Sequence, residues 1–260
     1  MAAFTRIGVR AAWNGSGRTA RSRLMPVTAV LAALAIAAPA AGSAGGGGGS
    51  TVWLDHPGRV SYWAFVDYPA VARRAPDGSA RAVARLHTKT EDGTDELVLV
   101  LARAERGGRS WLKVRLPILP NNSTGWVPAD DLSALRVVHT WLKIDREHER
   151  IALIRNGRHI FQAPIGVGQP GTPTPAGNFY IRDKLTGFPP GTIYGILAFG
   201  TSAKSSVLTD WPRGGVIGIH GTNQPELIPG HISHGCVRLR NHDIRRLSKL
   251  LPMGTPVSIR

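Results

Sequence analysis

The chain contains one cysteine, Cys236, and a histidine sixteen residues before it, His220, at the end of the apolar run 216–219. A cysteine nucleophile needs a base within hydrogen-bonding reach, and the base needs an acceptor for its other ring nitrogen. Gly221 follows the histidine and Gly235 precedes the cysteine, and such small residues let the backbone approach a reacting carbonyl. These residue types and their spacing predict acyl-transfer chemistry, with Cys236 as nucleophile and His220 as base.

The residues around Cys236 are further candidates for the site. His234 and Arg238 lie two positions before and after it, and such residues share its face if the segment is extended. His234 is a candidate supporting donor near the oxyanion or the substrate. The Arg238 guanidinium could hold a substrate carboxylate, with a structural salt bridge as the alternative. The amides of Gly235 and Cys236 are candidates for the oxyanion hole.

Asn241 stands where a helix is predicted to begin. Ile244, Leu247 and Leu251 fall on one helical face, and Pro252 ends the pattern. Asn241 is therefore a candidate N-cap, and a capping role alone is the alternative to a role in the site.

The stretch 220–243 resembles the signature of the L,D-transpeptidase catalytic domain. The matching residues are His-Gly-Thr at 220–222, Ser-His-Gly-Cys at 233–236, then Arg238 and Asn241. The Thr-Pro-Thr-Pro-Ala-Gly segment at 172–177 is similar to a family loop that precedes a strand. The resemblance covers roughly the last 120 residues of the chain.

The resemblance implies an acyltransferase that forms 3→3 peptidoglycan cross-links through a cysteine thioester and needs no cofactor. It implies that the Gly221 main chain orients His220, and that Ser233, Arg238 and Asn241 contact the substrate. Peptidoglycan stem peptides are then the partners, and carbapenem-type β-lactams are the expected inhibitors.

Three other functions compete with this interpretation. A zinc site would use His220, His231, His234, Cys236 and His242, although their spacing fits no usual ligand pair. A non-catalytic wall-binding protein is the second alternative. An L,D-carboxypeptidase, in which water takes the acyl group, is the third, and the sequence does not distinguish water from a stem amine as acceptor.

The N-terminus and the charge predict export. Five arginines precede the uncharged segment 24–44, whose apolar part, 27–38, is shorter than a membrane span of ~20 residues. We therefore expect a signal peptide at 1–44 and a location in the cell wall or a periplasm-like space. An uncleaved signal would instead anchor the chain in a membrane. The net charge of +15 suits an anionic polymer such as a cell wall, and no aromatic module of the kind that binds nucleic acid is visible.

The remainder divides into three segments: 45–79 is a Gly-rich linker followed by an unassigned stretch, 80–136 is a small barrel, and 137–260 is the catalytic domain. Short strands are predicted at 83–87, 96–104, 111–116 and 125–128. The WLKV and GWV motifs at 111–114 and 125–127 resemble a bacterial SH3-like domain. Trp111 and Trp126 could line a ligand groove there or pack in the core.

The predicted fold is mainly β: an SH3-like small barrel followed by a β-rich L,D-transpeptidase catalytic domain with one C-terminal helix. In that domain we expect strands at 141–145, 150–155, 159–163, 178–182 and 256–259, with a hairpin at Asn156-Gly157. Residues 166–177, 185–190 and 201–215 are predicted to be long loops that could cover the cleft.

Overall fold

The computed structural model describes residues 50–210 and 215–260, which belong to one compact unit. The predicted signal peptide and most of the linker lie outside the described residues. In the described part of the chain, no helix is both long enough and apolar enough to span a membrane.

The first sheet has eight strands and contains residues 51–138. Its strands are β1 Thr51–Trp53, β2 Ser61–Phe65, β3 Ala70–Arg73, β4 Ala82–Leu86, β5 Leu97–Arg106, β6 Arg109–Arg115, β7 Thr124–Pro128 and β8 Arg136–Val138. Their spatial order is β4-β3-β7-β6-β5-β2-β8, and β1 pairs with β5. The four strands predicted between residues 80 and 136 are all present.

The predicted boundary at residue 80 divides this sheet. Strands β1 to β3 come from the stretch left unassigned, and β2 pairs with both β5 and β8. The N-terminal module therefore begins near residue 51, while its SH3-like character stays a prediction. Trp111 and Trp126 are buried and pack with two alanines of β5, so neither lines an open groove.

The second sheet has ten strands. They are β9 Thr140–Asp145, β10 Arg150–Arg155, β11 Arg158–Pro164, β12 Gly166–Gly168, β13 Gly177–Thr186, β14 Leu197–Lys204, β15 Val216–His220, β16 Gly230–Ser233, β17 Val237–Arg238 and β18 Pro256–Ile259. The order is β11-β10-β9-β18-β13-β14-β15-β17-β12-β16. The mainly β fold is thus confirmed.

Local sequence accounts for much of this sheet. Buried and half-buried residues alternate along β9, as in a strand with one face on the core. Asn156 and Gly157 have positive φ angles of 50° and 75°, which suits the tight turn between β10 and β11. All three loop predictions were too long, because 166–168 forms β12, 185–186 ends β13 and 201–204 belongs to β14.

The one described α-helix, α1, spans Asn241–Ser248 and buries Ile244 and Leu247 against the second sheet. Arg240, rather than Asn241, is the N-cap residue, and no side chain caps the helix. The capping prediction for Asn241 is therefore wrong. Its amide is used by a tertiary contact in the site described below.

The two sheets share a buried interface. Tyr180 of β13 packs with Trp63 of β2 and Leu97 of β5, and its hydroxyl donates to the Leu97 carbonyl over 3.2 Å. Beside it, the Arg182 guanidinium makes a two-pronged ion pair with the Glu96 carboxylate, and both residues are about 95% buried or more. A charge in such surroundings is tolerated because it is paired and hydrogen-bonded.

We expect Glu96→Gln to destabilise the protein by about 3 kcal/mol or more, because it leaves the buried Arg182 charge without its main partner. Urea unfolding followed by tryptophan fluorescence measures the loss. Glu105→Gln is the matched control, because Glu105 pairs with Arg103 where both side chains are more than half exposed. Equal urea midpoints for the two variants would contradict the importance of the buried pair.

Candidate active site

Two neighbouring parallel strands bring the predicted nucleophile and base together. His220 ends β15, Cys236 directly precedes β17, and the strands pair with Ile219 opposite Val237. His220 and Cys236 consequently line one cleft of about 60 Å³, and Arg238 lines it as well.

Gly218 lies between the two reactive side chains. Its N–H donates to the Cys236 Sγ over 3.3 Å. A Cβ at position 218 would lie 3.7 Å from His220 Cδ2 and 3.8 Å from Cys236 Sγ. The two side chains therefore both lie within 4 Å of one point on the face of β15.

The imidazole is held by a main-chain carbonyl. His220 Nδ1 lies 2.6 Å from the Gly221 carbonyl oxygen, so Nδ1 carries the proton and Nε2 is the nitrogen that can act as base. The Tyr194 ring meets the His220 ring edge-on, with 5.2 Å between centroids, and Tyr194 is itself stacked on Phe188. Both aromatics belong to the loop between β13 and β14.

Asn241 fixes the backbone that carries this carbonyl. Its amide Nδ2 donates to the Thr222 carbonyl over 2.9 Å, and its Oδ1 accepts the Thr222 N–H over 3.1 Å. A Cβ at residue 221 would lie 2.2 Å from that Oδ1, which explains the glycine after the histidine. Asn241 therefore positions the His220 loop, and its amide is not directed to a substrate.

Burial sets the protonation of the pair. Desolvation lowers the pKa of His220 to about 4, although the Gly221 carbonyl partly opposes the shift. Desolvation raises the pKa of the Cys236 thiol, although the Gly218 N–H and the Arg238 charge oppose it. Near neutral pH both shifts favour a thiol and a neutral imidazole in the resting site.

The turn before Cys236 is built from internal hydrogen bonds. The Ser233 hydroxyl donates to the Cys236 carbonyl over 2.5 Å and accepts the Gly235 N–H over 3.1 Å. Gly235 has a φ of 116°, a conformation that favours glycine. The Thr174 hydroxyl, from the loop after β12, donates to the Gly235 carbonyl over 2.8 Å.

These contacts bear on two predicted roles. Ser233 is buried and its hydroxyl serves the turn, although the residue also lines the cleft, so its contact with a substrate stays a prediction. The Gly235 N–H is occupied by Ser233, so it is not the oxyanion donor that we expected. The Cys236 N–H remains as the backbone candidate for that role.

Arg238 lies against the cleft without an ion-pair partner among the described residues. Its Nε is buried and has no hydrogen-bond partner there, and its Nη1 lies 3.5 Å from the Gln224 Oε1. The salt-bridge alternative is therefore wrong in the described part of the chain. A buried guanidinium beside a thiol suits a ligand that brings a carboxylate.

The other histidines have different surroundings. His234 is exposed and borders the cleft. His231 faces the Gly168 carbonyl and Glu149, and His242 lies beside Asp243. Within residues 50–210 and 215–260, no three histidine, cysteine or acidic side chains are grouped so that they could hold a metal ion.

Sequence reasoning missed three residues that shape this site. Thr174 was seen only as part of a Pro-rich loop, Phe188 only as part of the predicted loop 185–190, and Tyr194 was assigned to no element. The loop after β14 also borders the cleft, through Ser205 and Leu208. A Thr-Pro-Thr-Pro motif beside a catalytic cysteine is the one signal that could have identified Thr174.

Residues 139–259 match the family model of YkuD, the L,D-transpeptidase catalytic domain. YkuD of Bacillus subtilis (strain 168), named as an L,D-transpeptidase, is 35% identical over 109 residues, covering 42% of this chain and 58% of the relative. YbiS of Escherichia coli (strain K12), also named as an L,D-transpeptidase, is 27% identical over 208 residues, covering 72% and 68%. The resemblance seen in the sequence is confirmed for residues 139–259.

A crystal structure of a mutant Enterococcus faecium L,D-transpeptidase is 27% identical, with a TM-score of 0.35, and the match covers 46% of this chain and 49% of that one. The chain spans less than two thirds of the first curated relatives, 58% of the B. subtilis protein and 64% of YkuD from Bacillus licheniformis.

The protonation state predicts a characteristic pH dependence. Because the His220 pKa is lowered to about 4, its base form persists through mildly acidic pH, and acylation of Cys236 should fall only as the pH approaches about 4. Because the Cys236 pKa is raised above its ordinary 9.0, no thiolate absorbance should appear near neutral pH. Ultraviolet difference spectra between the wild type and Cys236→Ser measure this directly. A thiolate signal at mildly acidic pH would contradict this prediction and would indicate that the resting site contains a thiolate–imidazolium pair.

Proposed function

We propose that this chain, whose residues 139–259 match the L,D-transpeptidase catalytic domain, is an exported enzyme that forms 3→3 cross-links between peptidoglycan stem peptides. The observation that carries the proposal is the cleft itself: Cys236 and His220 share it, and the Gly221 carbonyl fixes the imidazole so that Nε2 can act as base. The cleft supports the proposed chemistry, the match to the family model supports the substrate, and the sequence of residues 1–44 supports the location.

The first half-reaction forms the thioester. His220 Nε2 takes the thiol proton as Cys236 Sγ attacks the carbonyl of the third stem residue. The tetrahedral intermediate collapses, the C–N bond breaks, and the imidazolium gives its proton to the departing amine of D-alanine. Because both groups start neutral, the ion pair exists only during attack, when the developing oxyanion also needs stabilisation.

The oxyanion and the leaving group each have a candidate partner. The Cys236 N–H faces the oxyanion in this scheme, with exposed His234 as a supporting donor at the cleft edge. Arg238 holds the terminal carboxylate of the donor stem, because its guanidinium lacks an acidic partner in the described residues. The same contacts would suit the carboxylate and the reactive carbonyl of a carbapenem-type β-lactam.

The second half-reaction transfers the acyl group to a side-chain amine of another stem. Transfer to water would make the enzyme an L,D-carboxypeptidase, which is the alternative enzymatic function. A non-catalytic wall-binding protein is a weaker alternative, because the nucleophile, base and imidazole acceptor are all present in one cleft.

Export is supported by the sequence of residues 1–44. The mature part remains basic, with 27 Lys and Arg against 17 acidic residues after residue 44, which suits an anionic wall polymer. The proposed location is the cell wall or a periplasm-like space, with membrane anchoring if the signal is retained.

Variants of the three central residues should differ in a fixed order. Cys236→Ser should abolish acylation, and His220→Ala should come close to the same loss, because a thiol of raised pKa stays protonated without its base. His234→Ala should lose about 10² to 10³ in rate, the effect of one oxyanion donor. Stopped-flow acylation by a carbapenem gives all three rates. A complete loss in His234→Ala with activity spared in His220→Ala would move the base to His234.

Product analysis tests the function. Incubation of the protein with muropeptides should release D-alanine and give 3→3 dimers, and a carbapenem should add its mass to Cys236. Cys236→Ser is the matched control and should do neither. A wild type that gives neither dimers nor D-alanine would exclude the enzymatic function, whereas D-alanine without dimers would identify the carboxypeptidase.

A further inference from the structure

The peptide bond between Gly235 and Cys236 carries the candidate oxyanion donor on one side and a hydrogen-bonded carbonyl on the other. The Gly235 carbonyl oxygen accepts the Thr174 hydroxyl over 2.8 Å. The cis peptide bonds of the described residues precede Pro120 and Pro229, so this peptide is trans. The N–H and C=O groups of a planar trans peptide point in opposite directions. The bond to the carbonyl therefore also sets the direction of the Cys236 N–H.

The rest of the turn holds the neighbouring peptides but not this one. The Ser233 hydroxyl bonds the Gly235 N–H and the Cys236 carbonyl, which belong to the peptides before and after it. Gly235 has a φ of 116°, and a glycine tolerates φ values on both sides of zero. A half turn of the peptide would put a carbonyl oxygen where the N–H now lies. Such an oxygen would repel a developing oxyanion instead of stabilising it.

The hydrogen bonds of the Thr174 hydroxyl fix the position of its single proton. Its Oγ1 accepts the Gly168 N–H over 2.9 Å, and a hydroxyl has only one hydrogen to donate. That hydrogen goes to the Gly235 carbonyl. Thr174 is 1% exposed, so bulk water does not compete for the hydroxyl.

The loop that carries Thr174 is itself held in place. The Arg146 guanidinium donates to the Thr174 carbonyl over 2.8 Å, and the Gln169 N–H donates to the Ser233 carbonyl over 2.9 Å. A Cβ at Gly168 would lie 2.4 Å from the Thr174 nitrogen, so the loop passes directly against β12. The hydroxyl is thus in position before a substrate arrives, as a preorganised oxyanion site requires.

We propose that Thr174 is a positioning residue for the oxyanion hole: through the Gly235 carbonyl, its hydroxyl holds the Cys236 N–H in the orientation that binds the oxyanion. This inference rests on the proposed transpeptidase function. Thr174 is not among the residues that line the cleft, so it acts through the main chain and not by contact with a substrate.

Thr174→Val tests this role, because it removes the hydroxyl and nearly keeps the shape of the side chain. Stopped-flow acylation by a carbapenem at several concentrations separates noncovalent binding from the acylation rate at saturation. That rate should fall about tenfold, a part of the ~10² to 10³ that one complete oxyanion donor contributes. The noncovalent dissociation constant should not change. The loss of activity toward pH about 4, which His220 sets, should not move either, because Thr174 does not contact the imidazole.

The infrared spectrum of the carbapenem acyl-enzyme measures the oxyanion donor directly. A hydrogen bond from the Cys236 N–H weakens the thioester C=O bond, so the carbonyl band should move to higher wavenumber in Thr174→Val. Thr174→Ser keeps the hydroxyl and should restore the band and the rate. Thr172→Val is the matched control from the same segment. The Thr172 hydroxyl lies 3.5 Å from the Ser233 carbonyl, beyond the usual O–H···O distance, so this variant should equal the wild type.

Urea unfolding shows whether each variant is folded under the assay conditions. A wild-type rate and band in Thr174→Val would overturn the role of Thr174. A loss explained entirely by weaker noncovalent binding or by a shifted pH dependence would also overturn it, because a general disturbance of the site gives that result. If Thr174→Val does not fold, Thr174→Ser decides, and a tenfold loss in that variant contradicts the proposal. A wild type that forms no acyl-enzyme with a carbapenem or a tetrapeptide donor would instead overturn the proposed function.

Discussion

The parallel pairing of β15 with β17 is the constraint on which the site depends. Because His220 pairs with Arg238 across these strands, Cys236 must arrive beside Gly218 at the end of a tight turn. That turn is possible because Gly235 adopts a positive φ and the Ser233 hydroxyl bonds both ends of the turn. A shift of one residue in this pairing would send the sulfur to the opposite face of the sheet.

The same burial that assembles the pair keeps it uncharged. A thiolate and an imidazolium would each lose hydration in this cleft, and none of the described residues that line it has an acidic side chain to stabilise the cation. In the proposed reaction charge therefore develops during attack, and the Cys236 N–H, the candidate donor to the oxyanion, acts mainly on the transition state. Such preorganised groups accelerate a reaction more than groups that bind the ground state equally well.

Sequence predicted best what is decided locally. Residues 256–259 form a strand with the predicted bounds, and the Asn156-Gly157 turn follows from the backbone freedom of those residue types. The strands at 51–73 escaped prediction because they are three to five residues long and are defined by partners distant in the chain. Asn241 shows the opposite error: its local preference for a cap is overridden by two hydrogen bonds to Thr222.

The arrangement of the two sheets argues that the N-terminal one belongs to the catalytic unit. Glu91 holds Arg182 of β13 and Lys204 of β14, and β14 in turn pairs with β15, where Ala198 lies opposite His220. A displacement of the N-terminal sheet would therefore reach the base through two hydrogen-bonded strands. It would also leave the Arg182 charge and the Tyr180 ring without the groups that now cover them. Without the N-terminal sheet, the catalytic sheet would therefore have to repack around Arg182 and Tyr180, close to its own active site.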